Sequence, residues 1–351
     1  AEDGIRHSST SRGLGDVYKR QTKSIQGIST GFESDPDTWI STGNYAQNYL
    51  VSGDFHKGVP LGKVTVYAGE SGSGKSVTMR SILRLLPPKA SLSGSIIVDG
   101  ENVIEMSKDQ LSNMRGRDVS MIFQEPMVAF DPVYKVGYQI AETVVRHLGT
   151  SFEDALARAK ELFDLVQIPS AKSRLSAYPH ELSGGMRQRA MIALALACSP
   201  KLLLADEPTT ALDATVQIQI LLLLRQLQRE LGMSIIFVTH DVGVATEIAD
   251  ELAVMYAGKI VEIGDVAEVI KKPAHPYTQG LLSSTVNSGS KGKRLEVIGG
   301  SPPEMSKVFK GCAFSPRCKK VLDQCWHQKP CLLYTSPSPR DVEESRMPSS
   351  A

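Results

Sequence analysis

Short apolar runs alternate along most of the chain with stretches in which apolar residues recur at helical spacing. Apolar runs bounded by polar or glycine positions are typical of buried β-strands. The predicted strands are 64–68, 95–98, 119–123, 202–205, 234–239, 252–256 and 259–263. The predicted helices are 77–86, 152–166 and 213–231. This alternation of strands and helices predicts an α/β fold built on a parallel, doubly wound sheet.

Local signals refine this pattern. Ala257-Gly258, between the last two apolar runs, predicts a hairpin. Ser151 with Asp154 three residues later predicts the N-terminal cap of the second helix. That helix is expected in a helical insert, at about 125–190, between two segments of the sheet.

Composition limits the classes of function. The 351 residues are 41% hydrophobic and 22% charged, which is enough for a full core and one large domain with an appendage. The net charge of +1 provides no overall field that would attract nucleic acid or an anionic membrane. The longest apolar runs, such as 191–198 and 218–224, are shorter than a spanning helix. With no visible secretory signal, the chain is expected to be cytoplasmic, with any membrane contact made through a partner.

The stretch 69–76, Gly-Glu-Ser-Gly-Ser-Gly-Lys-Ser, has the G-x-x-x-x-G-K-S pattern of a phosphate-binding loop. A predicted strand precedes it and a predicted helix follows, which is the required context. In this motif the glycines let the backbone wrap the phosphates. Lys75 reaches the β and γ oxygens, and the Ser76 hydroxyl holds Mg²⁺. Chance coincidence is disfavoured because strand, loop and helix occur together.

Two further stretches suit a nucleotide. Asp206 and Glu207 follow a buried apolar run, which would deliver carboxylates to the edge of the sheet where ligands bind. About twenty residues earlier, the stretch 182–189 places a Gly-Gly turn before a basic helix start, which suits phosphate.

These motifs resemble, in order and spacing, those of ABC transporter ATPases. The matching features are the phosphate loop, Gln124, the Leu-Ser-Gly-Gly-Met-Arg-Gln-Arg stretch at 182–189, Asp206-Glu207, Ala211-Leu212-Asp213 and His240. Three later stretches, 273–278, 300–303 and 311–318, resemble the ATP-binding subunits of oligopeptide and dipeptide importers. The resemblance covers about residues 69–330. It implies a P-loop NTPase fold: an ABC-type nucleotide-binding domain with a parallel core sheet, a helical insert and a small Cys-containing C-terminal extension.

The resemblance also implies a role for each matching residue. The β and γ phosphates of ATP would be bound by Gly69, Gly72, Ser73, Gly74 and Lys75. Ser76 and Asp206 would hold Mg²⁺, and Glu207 would polarise the attacking water. His240 would touch the γ phosphate; the alternative is a capping or core histidine. Gln124 would sense Mg²⁺ and water; simple hydrogen bonding in a turn is its alternative.

In the family, Ser183, Gly184 and Gly185 close over the ATP held by a partner subunit. A head-to-tail ATPase dimer with two ATP molecules is therefore implied, with Asp213 across its interface. An ordinary helix cap is the alternative for a Ser-Gly-Gly turn. Other implied partners are two membrane-spanning permease subunits and an extracytoplasmic peptide-binding protein. The chain would then lie peripherally on the cytoplasmic face of the inner membrane and import di- or oligopeptides, or a related solute such as nickel.

Four of the five cysteines lie near the C-terminus. Cys312, Cys318 and Cys325 match an extension that binds an iron–sulfur cluster in some peptide-importer ATPases. In that pattern the fourth cysteine lies further downstream than Cys331. Zinc is less favoured because paired C-x-x-C spacings are missing. Cys198, alone on an apolar helix, is expected to be core.

The N-terminal stretch, about 22–76, instead resembles the lead-in to the phosphate loop of phage RecA-like recombinases. This suggests a chimera joined at the phosphate loop. The aromatic residue that stacks on adenine in ABC proteins would then be missing, with Tyr45, Tyr49 and Phe55 as substitutes. A RecA-like recombinase is a rival function, but the DNA-binding loops expected after its core are missing. A soluble ABC ATPase acting on ribosomes or DNA, and a chimera without function, are the other rivals.

Together these observations predict five parts. Residues 1–21 show no apolar period and the Ser/Pro-rich tail 331–351 resembles linker sequence, so both are excluded from the fold. Between them are the lead-in with the first core strand, 22–68, the ABC ATPase domain, 69–265, and the importer-type extension, 266–330.

Overall fold

The computed structural model describes residues 62–284 except 211, residues 297–303 and 309–328, and the backbone of three further two-residue strands. The strands are β1 (Trp39–Ile40), β2 (Val59–Pro60), β3 (Val64–Ala68), β4 (Ile97–Val98), β5 (Glu101–Asn102), β6 (Val119–Ile122), β7 (Leu202–Asp206), β8 (Ser234–Thr239), β9 (Glu251–Tyr256), β10 (Lys259–Asp265) and β11 (Leu333–Tyr334). The helices are α1 (Lys75–Ile82), α2 (Lys108–Arg117), α3 (Pro126–Ala129), α4 (Val136–Leu148), α5 (Phe152–Leu165), α6 (Ala171–Arg174), α7 (Gly184–Ala195), α8 (Ala214–Leu231), α9 (Val242–Ile248), α10 (Val266–Lys271), α11 (Pro276–Ser283) and α12 (Gln324–His327). Short 3₁₀ helices lie at Pro179–Glu181 and Ser315–Arg317.

A seven-stranded sheet forms the centre, in the order β11-β10-β9-β3-β8-β7-β6. Neighbouring strands from β9 to β6 are parallel, whereas β9 and β10 form an antiparallel hairpin. The predicted parallel α/β core and the predicted hairpin are confirmed. Strands β3, β7 and β8 are buried at every position because helices cover both faces of the sheet.

The two faces of the sheet belong to two hydrophobic clusters. On β8, Ile235 and Phe237 join the larger cluster with the apolar residues of α7 and α8, while Ile236 and Val238 join the smaller one with α1 and α2. Successive side chains of a strand point to opposite faces, so a continuous apolar run is what a two-sided core requires. For this reason the runs at 64–68 and 234–239 predicted their strands with the observed bounds.

In two predicted elements, two or more of the predicted residues at one end lie outside the observed element. The run at 95–98 is strand only at β4, which pairs with β5 in a separate two-stranded ribbon. Asp99 and Gly100, with φ angles of 52° and 83°, turn the chain back between these strands. The helix predicted at 77–86 begins at Lys75 and ends at Ile82, two residues before Arg84 adopts a φ of 49°.

Between β6 and β7 the chain is helical, from α3 to α7. Helix α4 contacts both α5 and α7. Helix α5 begins as predicted, because the Ser151 Oγ accepts a hydrogen bond from the Asp154 backbone N–H at 3.1 Å. No helix in the described part of the chain is long and apolar enough to cross a lipid bilayer.

Candidate nucleotide site

The phosphate loop joins β3 to α1 and lies against the β9–β10 hairpin. Gly69 has a φ of 155°, and a Cβ there would be 2.2 Å from the Met255 carbonyl oxygen, so only glycine fits. At the hairpin turn, the Gly258 backbone N–H donates to the Ser73 carbonyl oxygen at 2.8 Å. Gly74, with a φ of 99°, precedes the first residue of α1. The loop is therefore shaped by the sheet beneath it.

Lys75 lies inside this loop and is 4% exposed. Its Nζ donates to the carbonyl oxygens of Gly69 and Glu70 at 2.6 and 2.9 Å and to the Ser73 Oγ at 3.2 Å. Burial lowers the pKa of Lys75, and the carboxylates of Glu207, Asp206 and Glu70 oppose that shift. The loop thus holds an ammonium group among acceptors, which suits an anionic ligand that would provide further acceptors.

Ser76 and Asp206, the two residues expected to hold Mg²⁺, are hydrogen-bonded to each other. The Ser76 Oγ, at the start of α1, donates to the Asp206 Oδ1, at the end of β7, at 2.7 Å. Asp206 is 1% exposed. Burial raises the pKa of its carboxyl group, and the hydrogen bond from Ser76 only partly opposes this shift. A buried carboxylate beside a hydroxyl fits a hard divalent cation such as Mg²⁺, which would stabilise the ionised form.

Glu207 is the centre of a second group of side chains. Its Oε2 accepts from the Gln124 Nε2 at 3.3 Å and from the Thr210 Oγ1 at 3.1 Å. The His240 Nδ1 lies 3.3 Å from its Oε1. Glu207 has a φ of 47°, and its backbone N–H donates to the Val238 carbonyl oxygen. The structure therefore brings together three residues predicted from separate strand ends, and adds Thr210, which had no motif signal.

The Ser-Gly-Gly turn and Asp213 begin neighbouring helices. The Ser183 Oγ accepts from the Met186 backbone N–H at 3.4 Å, and a Cβ on Gly185 would lie 3.0 Å from the Val216 Cγ1 of α8. Asp213 caps α8 and accepts from two backbone N–H groups through its Oδ1. Ser183, Gly184 and Asp213 are exposed. Within one chain these residues act as helix caps; Ala211 lies outside the described residues.

The iron–sulfur cluster expected at the C-terminal cysteines is not supported: no group of three or more His, Cys, Asp or Glu side chains suited to a metal occurs in the described part of the chain. Cys312 and Cys318 pack against the hydrophobic core, and the Cys312 backbone N–H donates to the Cys325 carbonyl oxygen at 2.8 Å. Cysteine spacing alone does not determine where the thiols point. Cys331 lies outside the described residues, as do Tyr45, Tyr49 and Phe55, while Cys198 is buried in the core as predicted.

Sequence reasoning missed three residues that contact the phosphate loop or belong to it. Glu70 is the second residue of the loop, and the side chains of Tyr277 and Arg317 hydrogen bond to it. Both partners lie in stretches that carry the importer resemblance, 273–278 and 311–318. Those stretches therefore include Tyr277 and Arg317, but nothing in their sequence indicates that the two side chains contact Glu70.

Two family models match the chain. The model described as "ABC transporter" matches residues 54–210, and the one described as "Oligopeptide/dipeptide transporter, C-terminal region" matches residues 261–325. A "putative peptide import ATP-binding protein" of Brucella melitensis is 49% identical over 284 residues, covering 77% of this chain and 84% of the relative. The chain belongs to the ABC transporter ATP-binding proteins. As an ABC ATP-binding subunit, it binds and hydrolyses ATP.

Further relatives of this ABC protein are the oligopeptide transport ATP-binding proteins OppD. The Bacillus subtilis protein is 47% identical, covering 81% of this chain and 79% of the relative. The Salmonella typhimurium protein is 44% identical, covering 78% and 82%. The RecA-like interpretation of 22–76 is not supported, because the ABC transporter model already matches from residue 54. The chimera is not supported either.

Solved structures agree with the ABC cassette fold. A dimeric ATP-binding cassette in a post-hydrolysis state, bound to ADP and Pi, matches at 28% identity with a TM-score of 0.53, covering 59% of this chain and 87% of that one. A Clostridium perfringens protein that is part of the ABC transporter complex cbiONQ matches at 27% identity with a TM-score of 0.54, covering 66% and 90%.

Proposed function

We propose that this ABC protein hydrolyses ATP to drive import of di- or oligopeptides. The observation that carries the proposal is that Glu207, held by Gln124, Thr210 and His240, follows directly on the Asp206 that is hydrogen-bonded to Ser76 of the phosphate loop. The relatives' names, peptide import and oligopeptide transport, support the peptide substrate. A related solute such as nickel is the alternative cargo.

The phosphate loop binds the β and γ phosphates in this mechanism. Lys75 exchanges its contacts to Gly69, Glu70 and Ser73 for phosphate oxygens, and the loop glycines Gly72 and Gly74 leave backbone N–H groups free to approach them. Ser76 and Asp206 would hold Mg²⁺, which neutralises charge on the phosphates when bound. Desolvation inside the loop strengthens each of these contacts.

Glu207 acts on the attacking water. Its carboxylate accepts a proton from the water, or orients it, next to the γ phosphate. His240 contacts one carboxylate oxygen of Glu207, and Gln124 and Thr210 donate to the other. The orientation of the carboxylate is therefore fixed. Gln124 lies two residues after β6 and two residues before α3, the first of the helices from α3 to α7. It is therefore placed to transmit the state of the site to them.

The working unit proposed here is an ATPase dimer, homomeric or with a related chain. Ser183, Gly184, Gly185 and Asp213 are exposed or partly exposed at two adjacent helix starts, where they would face the ATP of the partner subunit. The dimeric cassette among the similar structures supports this assembly. Two permease subunits and an extracytoplasmic peptide-binding protein complete the importer, which places the chain peripherally on the cytoplasmic face of the inner membrane. Residues 69–265 form its ATPase domain and 266–330 its extension.

Glu207→Gln tests the site directly. The substitution keeps the size and most contacts of the side chain but removes the base, so ATP turnover is expected to fall about 100-fold or more while ATP binding persists. Turnover is measured by phosphate release and binding by fluorescent ATP titration. Glu153→Gln, on the exposed surface of α5, is the matched control and should retain wild-type turnover.

Full turnover by Glu207→Gln would reject the assignment of the base. The cargo is tested separately, with the chain assembled with its permeases in vesicles. Uptake of a labelled peptide that depends on ATP and is lost in Glu207→Gln supports peptide import; uptake of nickel alone would favour the alternative.

A further inference from the structure

Glu70 of the phosphate loop is held by two side chains from the C-terminal extension. We call Glu70, Tyr277 and Arg317 the loop clamp. The two contacts join residues 207 and 247 positions apart in the chain. None of the proposed roles in phosphate binding, metal binding or water activation uses them.

Arg317 forms a bidentate ion pair with Glu70. Its Nη1 and Nη2 donate to the two carboxylate oxygens at 2.8 and 3.0 Å, and the side chain is only 6% exposed. Its Nε donates to the Gly299 carbonyl oxygen at 2.8 Å and its Nη1 also donates to the Tyr256 Oη at 3.2 Å. The hydrogen bonds to Glu70 raise the pKa of Arg317. The contacts to Gly299 and Tyr256 thus fix the orientation of the guanidinium, which favours its bidentate pairing with the Glu70 carboxylate.

Tyr277 holds the backbone at the same residue. Its hydroxyl accepts a hydrogen bond from the Glu70 backbone N–H at 2.8 Å. The ring is fully buried against Tyr256 and Phe314, with centroid distances of 4.6 and 5.4 Å. The clamp therefore grips both the side chain and the main chain of Glu70.

The extension is itself anchored to the sheet beside the clamp. Glu262 of β10 is completely buried, and its two carboxylate oxygens accept from the backbone N–H groups of Ala274 and His275 at 2.7 and 2.9 Å. The His275 Nδ1 accepts from the Tyr277 backbone N–H at 3.1 Å. These bonds fix the start of α11, so Tyr277 reaches the phosphate loop from a rigid base.

Electrostatics give the clamp a consequence for the ligand. Glu70 contributes a negative charge to the loop, and it is a neighbour of Lys75, whose Nζ donates to the Glu70 carbonyl oxygen at 2.9 Å. Without Arg317, this carboxylate would be unpaired beside the loop and would repel the phosphates of ATP. Because the pair is partly buried, solvent screens it less than an exposed pair.

We propose that Arg317 and Tyr277 are positioning residues for the phosphate loop, so that the C-terminal extension sets the affinity for ATP through Glu70. This inference rests on the proposed nucleotide site and adds a determinant that lies outside the ATPase domain. Its effect falls on ATP binding rather than on the hydrolytic step, because the clamp does not touch Glu207.

ATP affinity of the full chain, measured by titration with a fluorescent ATP analogue, tests the proposal. Arg317→Met should raise the Kd about tenfold, a typical size for coupling between two sites, and should raise KM without lowering kcat to the same extent. The double variant Glu70→Gln/Arg317→Met lacks the unpaired carboxylate and should recover most of the affinity. Arg225→Met is the matched control, because Arg225 forms a bidentate pair with Asp250 at 2.8 and 2.6 Å away from the loop.

The control should lose thermal stability but keep the wild-type Kd. Equal affinity losses in Arg317→Met and Arg225→Met, or no recovery in the double variant, would overturn the positioning role. If Arg317→Met does not fold, Arg317→Lys serves instead and should raise the Kd about threefold, since lysine cannot pair bidentately. A wild-type chain that binds no ATP would reject the nucleotide site and the clamp; a wild-type chain that binds ATP, with unchanged affinity in Arg317→Met, would reject the clamp alone.

Discussion

Glu207 shows how much of the site depends on single backbone angles. Its φ of 47° lies in the left-handed region, which is strained for a non-glycine residue. The strain is compensated by hydrogen bonds to its carboxylate and by the backbone bond to Val238. This combination holds the Glu207 carboxylate against Gln124, Thr210 and His240, whereas the adjacent Asp206 is hydrogen-bonded to Ser76.

Gly69→Ala is expected to damage the phosphate loop. The new Cβ would lie 2.2 Å from the Met255 carbonyl oxygen at a φ of 155°, so either the loop or β9 must move. We expect a loss of about 2 kcal/mol or more in the free energy of unfolding, together with weaker ATP binding. Denaturant unfolding and ATP titration measure the two effects.

Gly299→Ala is the control, because a Cβ there meets no atom within 4 Å. It should match the wild type in both measurements. A Gly69→Ala variant that is as stable as Gly299→Ala would show that the loop adapts to the extra methyl group.

At the residue scale, the sequence predicted the contacts that belong to spaced motifs. Lys75, Ser76, Asp206 and Glu207 were assigned because strand ends and a glycine-rich loop restrict where those side chains can lie. Arg317 was not assigned, since no local pattern shows which arginine meets a carboxylate 247 positions away. The expected iron–sulfur cluster is not supported, since cysteine spacing alone does not determine where the thiols point.

Among the elements, buried strands were predictable and polar turns were not. Strands β3 and β8 are enclosed on both faces, so their apolar runs determine their bounds. The run at 95–98 is strand only over its last two residues, because its partner after the Asp99-Gly100 turn, β5, is two residues long. The attachment of α11 to β10 was also not predicted, since it depends on a single buried glutamate.

Glu262→Gln tests that attachment. The amide has one oxygen where two backbone N–H groups require acceptors, so one of the N–H groups would face an NH₂ donor. We expect a loss of about 1–3 kcal/mol and earlier proteolysis within the extension than in the sheet. Thermal unfolding and limited proteolysis are the measurements.

Glu268→Gln, on α10, provides the comparison. Glu268 is only partly buried, so this variant should unfold much like the wild type. If both variants behave alike, the buried carboxylate does not anchor the extension.

For the whole molecule, two groups give opposite dependences of stability on pH. Burial raises the pKa of Glu251 from 4.5 to about 8. Its contribution to stability is therefore fully present below pH 4.5 and is lost as the pH rises through 8. Burial lowers the pKa of His275 from 6.5 to about 4, so its contribution is present above pH 6.5 and is lost as the pH falls through 4. Above pH 6.5 only the Glu251 contribution of these two changes.

We therefore expect the free energy of unfolding of the wild type to fall, relative to that of Glu251→Gln, as the pH rises. Between pH 6.5 and 8 the wild type should lose up to about 2 kcal/mol relative to the variant. Urea unfolding at a series of pH values measures the difference. A constant difference across this range would show that Glu251 is ionised in the folded protein throughout.

The loop clamp also sets an order of events during synthesis. Arg317 is made 247 residues after Glu70, which at ribosomal rates is a delay of roughly 12–50 s. Until then Glu70 of the phosphate loop has no Arg317 to pair with. A chain released before the arginine has been added would carry every nucleotide-binding motif and still hold an unpaired glutamate at the loop. A later-made segment of the chain therefore completes a site whose motifs were made first.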